Sequence, residues 1–171
     1  MNLNTALALV IGTLGAAATW LFMDPLAAFG LQIWVAFIGW ASYYHCGGGE
    51  HGLKNAIVGG VWGAIMATAA LVLIPMVGMG TIGTAICVGL TVGVMILGAQ
   101  FPILAAIPAA VYGYASVAAF ALLKTGAIAT STQIATSPLL NVAVSLAVGA
   151  VFGYLSEKIA KSLSGGHMAT T

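Results

Sequence analysis

Apolar residues run along this chain in long, nearly unbroken blocks, and polar positions collect in the gaps between them. A helix crossing a hydrocarbon core of about 30 Å needs about 20 mostly apolar residues. Six blocks meet that length: Thr5–Met23, Leu26–Tyr44, Asn55–Ile74, Thr81–Ala99, Ile103–Leu123 and Leu139–Ile159. Apolar side chains cover every face of each block, without the period-two alternation of an outer-membrane strand. The pattern predicts an all-α, polytopic integral membrane protein: one six-helix transmembrane domain over residues 1–163 and a polar tail over 164–171.

The gaps carry helix signals. Asp24-Pro25 and Ser137-Pro138 each read as an N-cap followed by proline at the first helical position. Pro75, with Gly78 and Gly80, separates the third and fourth segments, and Phe101-Pro102 joins the fourth and fifth in a tight antiparallel hairpin. The first segment lacks a positively charged start, so it reads as a retained span rather than a cleaved leader.

Charge narrows the class. Only 4% of the 171 residues are charged and 61% are hydrophobic, against about 25% charged in a soluble domain. That excludes a water-soluble enzyme, and a net charge of +1 excludes nucleic acid as a partner. Lys54, Lys158 and Lys161 fall on one side of the alternating spans and Lys124 on the other, so positive charge places both termini in the cytoplasm. No acid or base lies at the centre of a span, no phosphate-binding loop is present, and no nucleophile–base pair sits within a segment. These absences argue against a proton-driven pump, an ATP-driven machine and an intramembrane enzyme, and no cofactor is expected.

Helix association in lipid relies on small residues that let backbones approach. Of the 23 glycines, three pairs within the predicted spans lie four apart: Gly59 with Gly63, Gly89 with Gly93, and Gly149 with Gly153. All six are expected at helix–helix seams. Val61-Trp62-Gly63, Val111-Tyr112-Gly113 and Val151-Phe152-Gly153 repeat one small pattern and hint at an internal duplication. The same aromatics, Trp62, Tyr112 and Phe152, could line or gate a narrow passage, with Gln32 and Asn141 as polar guides.

One segment is chemically dense. Tyr43 to Lys54 holds His45, Cys46, Glu50, His51 and four glycines between the second and third spans. Three readings stay open: a plain cytoplasmic turn with interfacial tyrosines, a vestibule for a solute, and a transition-metal site built from His45, Cys46, Glu50 and His51. His167, in the tail, reads as solvated, and Glu157 with Lys161 as an i, i+4 pair.

The turn of Cys46 with Gly52-Leu53-Lys54, the stretch Ile107–Gly113 around Pro108, and the stretch Leu146–Tyr154 together resemble domain-of-unknown-function family 1097, small proteins of the bacterial inner membrane. Cys46 and Lys54 match the family pattern, whereas His45, Glu50 and His51 lie outside it. The resemblance implies an inner-membrane location. From the residues, the leading expectation is a passive channel or facilitator for a small, mostly uncharged solute, working as a homo-oligomer in the bilayer. A non-transporting scaffold or subunit is the second, and a metal permease or sensor using the His45–His51 segment is the third. A reporter active only in the cytoplasm should be active when fused after Thr171 and silent when inserted near Thr130; the reverse pattern would overturn the orientation.

Overall fold

The computed structural model describes residues 1–165, so the tail position His167 lies outside the described residues. Within them every regular element is a helix: α1 (Leu3–Met23), α2 (Ile33–His45), α3 (Gly49–Val77), α4 (Gly80–Leu97), α5 (Ile107–Leu123) and α6 (Pro138–Leu163), with short 3-10 turns at Ala27–Phe29, Gly98–Gln100 and Pro102–Leu104. Four helical stretches are long and apolar enough to cross a membrane: Leu3–Met23, Gly49–Val77, Gly80–Gln100 and Pro138–Leu163. At 13 and 17 residues, α2 and α5 reach only about 20 and 26 Å at 1.5 Å per residue.

Several boundaries differ from the sequence expectation. The second helix begins at Ile33 rather than Leu26, because Asp24 closes α1 instead of capping a new helix, its N–H bonding back to the Trp20 carbonyl. Gly49–Lys54, read as connection, forms the first turns of α3, leaving only Cys46–Gly48 as the turn. Pro75 lies inside the last turn of α3, where it removes the N–H that would bond to the Leu71 carbonyl, two residues before the helix ends at Val77. Ser137 does cap α6, its hydroxyl accepting from the Leu140 N–H at 3.2 Å. The fourth and fifth helices do not form a tight hairpin: α4 lies mainly against α3, and the Thr91 and Tyr114 hydroxyls link it to α5 at 2.9 Å.

The centre of the bundle is α2, α3, α5 and α6, with α1 laid against α6 and α4 against α3. The seams are backbone on backbone. A Cβ on Gly39 would strike the Leu146 carbonyl, and one on Gly149 would strike the Ala36 carbonyl, so α2 and α6 touch main chain to main chain. A second clasp joins α3 to α5, where Gly63 meets Ala110 and Gly113 meets Gly60 in the same way. Gly59 abuts Ala109 and Gly153 abuts the Tyr43 ring. By contrast, Gly89 and Gly93 meet nothing within the protomer, because α4 turns the stripe Gly83, Cys87, Thr91 and Met95 toward α3 instead. Those two glycines therefore do not belong to an intramolecular seam.

Val35, Ala64, Ala67, Val117, Phe120, Val142 and Leu146 fill the space among the central helices. Ala6 and Val10 of α1 cluster with Ala160 of α6, so the start of α1 and the end of α6 share one end of the bundle. The outside carries exposed Leu9, Trp20, Ile82, Leu90 and Leu122, an apolar coat of the kind lipid covers. Gly63→Leu or Gly149→Leu should abolish recovery of folded protein from detergent, since neither facing backbone can yield. Gly89→Leu should leave the monomer folded; normal chromatographic behaviour of Gly63→Leu would refute the clasp.

Candidate functional site

The polar side chains concentrate at the end where α2 turns into α3. Gly47, Gly48 and Gly49 all take positive φ (90°, 69° and 64°), a left-handed run that only glycine adopts freely. The run brings the Gly49 N–H to within 2.8 Å of Glu157 Oε2 and 2.7 Å of the Tyr43 hydroxyl. Tyr43 donates its own proton to the same carboxylate oxygen, and Lys161 pairs with the other one. A Cβ on Gly48 would stand 2.8 Å from that carboxylate, so the turn and α6 are closely fitted. Next to this clamp, Trp40 Nε1 donates to Ser156 Oγ at 3.1 Å, and the Tyr44 hydroxyl meets the same oxygen at 2.8 Å.

An open cleft of about 420 Å³ lies beside the clamp. His45, Cys46, Gly47 and Asn55 form one side, and Ala105, Ala106 and Pro108, from the connection into α5, form the other. His45 Nδ1 and the Tyr112 hydroxyl are 2.9 Å apart. Burial pushes the Cys46 thiol up, which keeps it neutral. The cleft therefore offers an imidazole, a thiol and an amide.

The four metal candidates do not converge. His45 turns to Tyr112, His51 lies 3.1 Å from the Asn55 amide nitrogen, and Glu50 is exposed on the first turn of α3. Among the described residues no three His, Cys, Asp or Glu groups come together to hold a metal. The helical start of α3 is the cause, since it separates positions that a loose loop could have gathered.

The expected pore residues also part company. Trp62 Nε1 donates to the Met95 carbonyl at 3.0 Å and seals α3 to α4. Tyr112 serves His45, while Phe152 tilts against Trp40 with ring centroids 5.7 Å apart. Gln32 and Asn141 do meet, at the opposite end of the bundle. Both amide nitrogens donate to the Gly30 carbonyl, Gln32 at 2.6 Å and Asn141 at 2.9 Å, and Asn141 also bonds the Ile134 carbonyl at 3.1 Å. Asn141 is fully buried, and its Oδ1 has no hydrogen-bond partner.

Sequence reasoning missed Tyr43 and Glu157 as one unit. Glu157 carried a signal only toward Lys161, four residues on. Tyr43→Phe removes both a donor to the carboxylate and an acceptor for the Gly49 N–H, so it should lower stability in detergent by about 1–3 kcal/mol. An unchanged melting temperature would show that the clamp contributes nothing.

The family model described as "Protein of unknown function (DUF1097)" matches residues 8–161, and the chain belongs to that family. No curated protein and no solved structure matches it.

Proposed function

We propose that this family member is a passive facilitator for small, uncharged solutes in the bacterial inner membrane, with all six helices crossing the bilayer and both termini in the cytoplasm. The observation that carries the reading is the cleft of about 420 Å³, which exposes an imidazole, a thiol and an amide beside the Tyr43–Glu157 clamp. A solute entering lipid depth must exchange water for protein partners. An amide and an imidazole can do that for a neutral molecule, whereas an ion would need a buried countercharge. The central helices are filled by Val35, Val117, Phe120 and Val142, so passage requires the helices to part rather than a standing pore. Both short helices complete their crossings through the irregular stretches 24–32 and 98–106. The cleft end carries Lys54, Lys158 and Lys161, which supports a cytoplasmic location for it.

The outward face of α4 favours a second element, self-association. Gly89 and Gly93 are uncovered in the protomer, and small residues on a lipid-facing helix let a second copy approach closely. A scaffold that docks another protein on this face is the alternative function.

Purified protein in liposomes should raise permeability to glycerol, urea and acetamide several-fold over empty vesicles, measured by stopped-flow light scattering, with ions excluded. Asn55→Ala should reduce that flux. Folded protein that passes none of the three would overturn the facilitator and leave the scaffold.

A further inference from the structure

The two clasps are copies of each other. Ala36 and Gly39 of α2 stand to Leu146 and Gly149 of α6 as Ala110 and Gly113 of α5 stand to Gly60 and Gly63 of α3. A shift of 74 residues carries the α2 pair onto the α5 pair, and a shift of 86 carries the α3 pair onto the α6 pair. Main-chain contacts alone set this register. In that register the sequences agree: Gly39-Trp40-Ala41-Ser42 with Gly113-Tyr114-Ala115-Ser116, Leu53 and Asn55 with Leu139 and Asn141, and Gly63-Ala64 with Gly149-Ala150.

The helix neighbours obey the same exchange. α1 docks on α6 as α4 docks on α3, and α3 crosses α6 at the centre. The buried cluster of Tyr43, Ala56 and Ala150 has Val117, Val142 and Ala64 as counterparts, all three within the central core. The connections at 24–32 and 98–106 are equally long, the first containing one 3-10 turn and the second two. With all six helices crossing, each half has three spans, an odd number, so the second half enters from the opposite side to the first.

The two ends are not in the same state. The operation carries Asn55, Ala105, Ala106 and Pro108 of the open cleft onto Asn141, Leu31, Gln32 and Trp34. There the space is closed by the chain itself. Asn141 is held by the Gly30 and Ile134 carbonyls, Trp34 Nε1 donates to Gln32 Oε1 at 3.1 Å, and the Gln32 N–H donates to Ser145 Oγ at 3.1 Å. In that closed end the buried Asn141 Oδ1 has no hydrogen-bond partner among the described residues.

We propose that α1–α3 and α4–α6 are inverted copies of one three-helix unit, and that the protein alternates between this conformation and its counterpart, in which the Asn141 end opens and the Asn55 end closes. Two halves of like packing can exchange conformations, which moves the opening from one face to the other. Asn55 and Asn141 are then the equivalent amides offered to solute at the two openings, suiting a neutral molecule with both a donor and an acceptor. This last point rests on the facilitator reading; the exchange of ends rests only on the six crossings proposed with it.

The test uses full-length protein with Cys46 and Cys87 replaced by Ala, in lipid nanodiscs where both ends meet solvent. Ala105→Cys and Leu31→Cys report the two ends through their rates of reaction with a membrane-impermeant maleimide. Adding Asn141→Ala, or the milder Ser145→Ala, removes hydrogen bonds that close one end. The Leu31→Cys rate should rise about fivefold to tenfold, the worth of one net hydrogen bond, while the Ala105→Cys rate falls. A rise at both sites in both variants, or no rise at Leu31→Cys in either, would overturn the proposal, since the Ala105→Cys rate can fall only by the population transferred. Reciprocal labelling without solute flux would keep the exchange and sink the facilitator. Flux without reciprocal labelling would do the opposite.

Discussion

The bundle depends on four places where one helix backbone rests directly on another, at Gly39, Gly149, Gly63 and Gly113. Lipid tails are as apolar as leucine, so no hydrophobic force presses these helices together, and association must come from close packing. Glycine is the one residue that permits such an approach. A methyl group at any of the four would occupy the space of a carbonyl. The other features of the fold follow from the two clasps. They set the pairing of α2 with α6 and of α3 with α5, and they leave α1 and α4 to lie on the outside.

The second constraint is that irregular backbone near the membrane must find internal partners. Where the chain leaves α1 and approaches α2, the Gly30 carbonyl receives both the Gln32 and the Asn141 amides. Where it turns from α2 into α3, the Gly49 N–H is taken up by Glu157 and Tyr43. The two ends thus solve the same problem differently, one with neutral amides and the other with a carboxylate that Lys161 balances. The difference matters for function, because the neutral end is shut and a cleft stands open beside the charged one.

In the proposed facilitator, an interior whose buried polar side chains are hydroxyls and an amide suits an uncharged solute, and a filled axis suits movement over a fixed pore. The likeness between the two halves joins these properties. If one packing arrangement serves both halves, exchanging their roles requires no new contacts, only a redistribution of existing ones between the ends.

Much of the architecture was legible in the sequence, since span length and all-round hydrophobicity are local properties of about 20 residues. Ser137 announced its helix, and Glu157 with Lys161 announced its pair, because both devices act within one turn. Asp24 and Gly49–Lys54 misled, since an Asp-Pro step and a glycine cluster fit a helix end, a turn and a helix start alike. The glycine pairs show the limit most clearly. Gly59 with Gly63 and Gly89 with Gly93 carry the same spacing, yet the first pair lies in a seam and the second faces outward. Spacing defines which residues share a helix face, but only the position of the neighbouring helices decides what that face meets. For the same reason the likeness of the two halves was faint in the sequence, where three short aromatic–glycine patterns hinted at a duplication in a different register from the one the main-chain contacts give. Small apolar residues align in many registers, and main-chain contact between helices selects one.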